Sequence, residues 1–164
     1  MAKNKASFER GRYSYEFDPF EMAGLDRDRD LPRDVLEDIA DYVQTKMLDK
    51  IGAATSPLAG QSRFKALSKD YAKFKRDFGP AKPNLELYGD MLDAFEARPI
   101  FSRNSIKLEF NEREQSLKAE NHNEGKTLPA RPFFPRNKDE QLKADIRQGV
   151  RGIIRDYLAE SEDG

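Results

Sequence analysis

Leu128-Pro-Ala-Arg-Pro-Phe-Phe-Pro135 separates most of the chain from one last amphipathic stretch. Its three prolines remove three backbone donors and hold φ at about −65°. Each also pushes the residue before it (Leu128, Arg131 and Phe134) toward extended geometry. The expectation is a rigid, extended hinge between a small sheet and a final helix. The only histidine lies just upstream, in His122-Asn-Glu-Gly125.

Working outward, the residues on both sides show clear periods. Ile106, Leu108 and Phe110 alternate with Lys107 and Glu109, which predicts a half-buried strand over Ser105–Phe110. Arg98 to Phe101 reads as its hairpin partner, with Arg103-Asn104-Ser105 as the turn. Gln115 to Ala119 fits a third strand or the start of a short helix, and Asn121 to Thr127 a polar loop. Beyond the hinge, Leu142, Ile146, Val150, Ile153 and Tyr157 form the stripe of a helix over Asp139–Ala159, widened by Ile154 and Leu158. Gly149 and Gly152 inside it cost up to ~1 kcal/mol each relative to Ala and suggest close approach of another helix.

Further upstream, a short helix is expected from Asp90 to Ala97, capped by Asp90. Leu67 to Phe78 reads as a basic, aromatic helix. Leu67, Tyr71, Phe74 and Phe78 lie on one stripe and Lys65, Lys69, Lys73, Lys75 and Arg76 cover the rest. Ala53 to Gln61 is small, polar and turn-rich, hence a loop. Arg33 to Ile51 is the clearest helix, started by Pro32 and striped by Val35, Ile39, Tyr42 or Val43, Met47 and Ile51, with Asp34, Glu37 and Asp38 at its positive end. Residues 1–32 are expected to form an extended arm. Tyr13, Tyr15 and Phe17 alternate with Ser14 and Glu16 as in a strand. Arg27-Asp28-Arg29-Asp30 reads as a solvated linker. The two readings of this arm are a disordered tail and a strand added to a neighbouring subunit's sheet edge.

The order of elements predicts an α+β fold in one domain over 33–164, a small antiparallel sheet packed against the first and last long helices. Composition agrees with a modest core, since hydrophobic residues make up 37% and charged residues 36% of the 164, against about 45–50% and 25% in an average domain. Net charge is −1, so no global basic excess favours nucleic acid. With no cysteine there is no disulfide frame and no thiolate chemistry. No apolar span is expected to cross a membrane, the basic N-terminus lacks the apolar core of a secretory signal, and synthesis in the cytoplasm is the default.

Motifs for catalysis are thin. Neither a Walker-type nor a dinucleotide-type glycine loop is present. A hydrolase built on His122 would need a nucleophile elbow, and none accompanies it. Asp26, Asp28 and Asp30 have the rhythm of a calcium loop without its glycine or its later glutamate. The expectation is no enzyme, no cofactor and no metal. Arg131, between two prolines, is suited to pair with a carboxylate in its own or a neighbouring subunit.

Ser56-Pro57-Leu58, the Tyr71–Lys75 element, Leu87-Tyr88-Gly89-Asp90-Met91, the His122–Gly125 loop and Pro129-Ala-Arg-Pro-Phe133 occur in that order. Together they resemble the phage virion-morphogenesis and tail-completion proteins of the head–tail connector over residues 33–158, most specifically at Pro129–Phe133. Tyr88 stands where those proteins carry a hydroxyl residue. The aromatic arm lies outside their pattern. The resemblance implies a structural protein of a tailed phage virion, made in the host cytoplasm. It would form a six- or twelve-fold ring in the neck, with connector and tail-tube proteins as partners. A tail-terminator ring capping the tail tube is the alternative. A DNA-binding module using residues 65–76 is an alternative of another class. Candidate interface residues are Tyr13, Tyr15, Phe17, His122, Arg131, Phe133 and Phe134. Lys65, Lys69, Lys73, Lys75 and Arg76 form a candidate face toward an acidic partner or channel DNA.

Overall fold

The computed structural model of the chain describes residues 5–7, 14–61, 92–111, 115, 117, 119, 123, 133–135 and 140–163. The predicted strand Ser105–Phe110 forms at those bounds and is the axis of the sheet. We call it β4. It pairs antiparallel with β3 (Phe95–Ile100) on one side and with β2 (Ser14–Phe17) on the other. β1 (Lys5–Ser7) pairs with β2, giving the order β1-β2-β4-β3. The fold is α+β, as the periods predict.

Register explains which face is buried. Tyr15 lies opposite Leu108, Phe17 opposite Ile106, and Phe95 opposite Phe110. These six and Ala97 are all buried. The other face carries Lys107, Glu109, Glu96 and Arg98, and Arg98 donates to Glu109 at 2.9 Å. The period of two thus sorts apolar from charged side chains across the sheet.

One helical turn, α1 (Pro19–Met22), follows β2. Asp18 caps it by accepting from the N–H of Phe20 (3.0 Å), and Pro19 opens it where a missing donor costs nothing. Gly24 ends the turn at φ +70°, a conformation that glycine adopts without strain. The long helix α2 runs over Arg33–Gly52 and buries Val35, Leu36, Ile39, Ala40, Val43, Met47 and Ile51. It lies against β3 and β4 on one side. The last helix, α3 (Ala144–Asp163), packs along α2 and against α1. A Cβ at Gly149 would overlap the ring and hydroxyl of Tyr42 on α2, so this glycine does permit a close helix approach. Gly152 has open space around it. One hydrophobic core runs from Tyr15 and Phe17 through α2 and Phe133–Phe134 to Ile154.

Several expectations are corrected. Residues 14–31 are not an arm, because β2 sits inside the sheet and Phe17, Phe20 and Leu31 are buried in the chain's own core. The strand signature was real, and the sheet that it joins is its own. The helix expected over Asp90–Ala97 is replaced at Phe95 by β3, since Phe95 and Ala97 face the core opposite Phe110 and Leu108. Among the described residues of that stretch, only Leu92 and Asp93 are helical. Phe101 leaves the strand for a 3-10 turn ending at Asn104, which is left-handed at φ +50°. Gln115, Leu117, Ala119 and also Asn123 are helical. The last helix starts five residues late. Before it, Leu142 bridges to Leu58, Ala59 N–H donates to the Gln141 carbonyl (2.7 Å), and Lys143 N–H donates to Pro57 (2.8 Å). Those bonds hold 141–143 extended, so helical geometry begins only at Ala144. The helix then continues past Ala159 to Asp163.

Candidate functional site

The proline segment meets the sheet at two fully buried aromatic residues, Phe133 and Phe134. Phe134 stands edge-on to Phe95 with centroids 6.4 Å apart and lies 5.6 Å from Phe110. Phe133 is edge-on to Phe110 at 6.2 Å. These are favourable tilted and T-shaped ring pairs. A segment flanked by Pro132 and Pro135 is poorly suited to a strand ladder, so its remaining polar groups need other partners.

Asn123 supplies them. Its Oδ1 accepts from the N–H of Phe133 (2.7 Å) and of Phe134 (2.9 Å), and its Nδ2 donates to the Phe134 carbonyl (3.0 Å). One side chain, itself fully buried, does for this segment what a neighbouring strand would do. Nothing in the sequence marks Asn123 for this role. It sits inside the His122–Gly125 element, where attention falls on the histidine.

A second polar cluster ties the N-terminal segment to the hairpin turn. Glu16 lies on the charged face of β2 but is only 7% exposed. Arg103 grips its carboxylate with two bonds, Nη2 to Oε1 at 2.7 Å and Nε to Oε2 at 2.9 Å, and Ser105 Oγ donates to Oε2 at 2.9 Å. This is the fork geometry in which arginine recognises a carboxylate. First by that hydrogen bonding and then by charge, Glu16 holds the Arg103 pKa above its ordinary value. Beside it, Asn104 exchanges two bonds of 2.8 Å with the backbone of Leu31, fixing the entry to α2. Burial pushes the Asp18 carboxyl above its ordinary range, against opposing bonds from the Phe20 and Glu21 backbone and the charge of Arg27, 3.7 Å away. At the start of α3, the hydrogen bond from Lys50 (2.6 Å) holds Asp145 below that range.

The candidate interface residues fall into two groups. Tyr15, Phe17, Phe133 and Phe134 are 2% exposed or less and belong to the core. Large aromatics with a sheet to fill find their apolar neighbours within the chain, so they are corrected from interface to core. Tyr15 keeps its hydroxyl bonded to the Glu140 carbonyl at 3.3 Å. Tyr13, His122, Arg131, Lys65, Lys69, Lys73, Lys75 and Arg76 lie outside the described residues.

At the β3 edge of the sheet, Pro99 has no N–H and the Ala97 N–H is taken by Gln44 of α2 (2.9 Å). Those two positions offer no donor to an added strand. Among the described residues no group of three His, Asp or Glu side chains could hold a metal, and no helix is long and apolar enough to cross a membrane. No family model matches the chain, and no curated protein or solved structure does so.

Proposed function

We propose that the chain is a structural subunit of a tailed phage neck, a tail-completion protein that joins the capsid connector to the tail as a closed ring. The observation that carries the reading is the ordered set of elements over 33–158, centred on Pro129-Ala-Arg-Pro-Phe133. The setting of that segment supports it: Asn123 and the rings of Phe95 and Phe110 hold its Phe133–Phe134 end against the sheet. Prolines on both sides of Arg131 restrict its backbone, and with Phe133 and Phe134 anchored, that segment is a sound base for presenting Arg131 to a partner's carboxylate. A ring built from one kind of contact uses two different surfaces of each subunit, so no single apolar patch need be exposed.

Light scattering of the purified chain, alone and with connector and tail proteins, tests the reading. A ring-sized particle or a complex with those partners is expected. A strict monomer under every condition overturns it. Arg131→Glu is expected to weaken assembly while leaving the melting temperature of the free chain nearly unchanged. Equal loss of both would make Arg131 an internal structural residue.

A further inference from the structure

The first turns of α2 and the last turns of α3 enclose a groove of about 600 Å³. Its floor is apolar, from Val35, Ile153 and Tyr157. Its walls carry Asp34 and Asp38 from α2 and Asp156 and Glu160 from α3. All four carboxylates are exposed, and among the described residues none has an ion pair. Arg29 reaches Ser161 Oγ at the rim at 3.3 Å and is already beside Asp28.

This arrangement is unfavourable for the free chain in two separate ways. Asp34 and Asp38 are four residues apart on one helix, and so are Asp156 and Glu160 on the other. Like charges at that spacing repel. Glu160 also stands in the last turn of α3, where the helix dipole favours cations and no basic residue is present, whereas Asp34 at the start of α2 is favoured by the same effect. Local rules broken twice at one apolar-floored groove are the mark of a surface whose charge is answered from outside. The chain carries its own complement. Lys65, Lys69 and Lys73 recur every four residues, with Lys75 and Arg76 beside them, interleaved with Tyr71 and Phe74. This stretch lies outside the described residues, and its charge is read from the sequence alone.

We infer that the groove between α2 and α3 docks the Lys-rich stretch 65–76 of a second copy of this chain, head to tail. The carboxylates meet the lysines and the apolar floor takes an aromatic side chain. The inference rests on the ring reading and names one of its contacts.

A charge swap tests it on the full chain, with association followed by sedimentation and folding by melting temperature. Asp38→Lys with Glu160→Lys gives a groove of reversed sign, and Lys69→Glu with Lys73→Glu a reversed stretch. Each double variant is expected to weaken self-association about tenfold or more at low salt with little change in melting temperature, because all four positions are charged and the two in the groove are exposed. An equimolar mixture of the two is expected to associate again, since each reversed surface then finds its complement. Recovery only when all four changes share one chain, with each double variant melting early, would place the stretch in its own groove and overturn the inference. Loss of binding to another neck protein with self-association intact would also overturn it, in favour of a basic partner. Unchanged association in both variants would remove this contact and leave the ring standing. A wild-type chain that is monomeric alone and with its partners would remove both.

Discussion

β2 and residues 133–135 each deliver two large aromatics to the same core, and they are held there by different means. β2 is bonded on both sides, to β1 and to β4, so its position is shared among many backbone contacts. Phe133 and Phe134 sit between Pro132 and Pro135, and among the described residues Asn123 gives their backbone three side-chain bonds. Two segments with equal burial thus differ in how concentrated their support is. A backbone ladder does not depend on any one side-chain hydrogen bond, while the bonds at Phe133 and Phe134 depend on Asn123.

Truncation of the aromatics should show their equality. Phe17→Ala and Phe134→Ala are each expected to cost about 3–5 kcal/mol in urea unfolding, as for other buried Phe deletions. A cost under about 1 kcal/mol at either would break the comparison by removing that segment from the core. The difference in support should appear next. Asn123→Ala orphans two buried N–H groups and weakens a carbonyl, for an expected loss of about 3 kcal/mol. Glu16→Gln keeps the ladder and part of the Arg103 contact, and should cost no more than about 1–2 kcal/mol. Equal losses would mean that the β2 ladder carries less than its pairing suggests.

A smaller effect separates two glycines one helical turn apart on α3. Gly149→Ala must push Tyr42 aside and is expected to destabilise by about 1 kcal/mol. Gly152→Ala meets nothing and should stabilise by about 0.5–1 kcal/mol. Thermal melts read both signs. The smallest stability effect belongs to the exposed Lys50–Asp145 pair, where Asp145→Asn should cost under about 0.5 kcal/mol at neutral pH. Because the folded pKa of Asp145 is lowered, this contribution is present above the ordinary carboxylate range and vanishes as pH falls through the folded value. Asp18 has the opposite sign. Its raised folded pKa means that the folded state holds the proton more tightly, so its contribution is full at low pH and declines as pH rises through the raised value. Asn caps as well as Asp, so Asp18→Asn should gain on the wild type as pH rises from acid to neutral, and a flat difference would refute the assignment.

Much of this fold was readable in advance where a period was long or clean. Arg33–Gly52 and Ser105–Phe110 carry patterns that match one geometry and misfit the other, and both appear within a residue of their expected bounds. The errors lie where a local pattern fits two settings. Tyr15 and Phe17 alternate equally well in an arm that pairs with a neighbour and in a strand of their own sheet. Asp90–Ala97 reads as helix until Phe95 and Ala97 are seen facing Phe110 and Leu108. α3 starts later than its hydrophobic period implies because Gln141–Lys143 bond to residues more than eighty positions away, which no local window contains. Asn123 escapes notice for the same reason, since its hydrogen-bond partners are ten and eleven residues distant. The groove between α2 and α3 is a juxtaposition of two acidic pairs more than a hundred residues apart, each of which reads alone as an ordinary solvated face.

The amino-acid sequence by itself determined the α+β class, the two long helices and the central strand, because steric limits and hydrophobic period act within a few residues. Only the tertiary structure decided that Tyr15 and Phe17 belong to the chain's own core and that Asn123 bonds the backbone of Phe133 and Phe134. It also decided that like charges of two helices face one groove. Those outcomes depend on which distant surfaces meet, and the free energy of that meeting comes from burial and hydrogen bonding between elements rather than from any one of them.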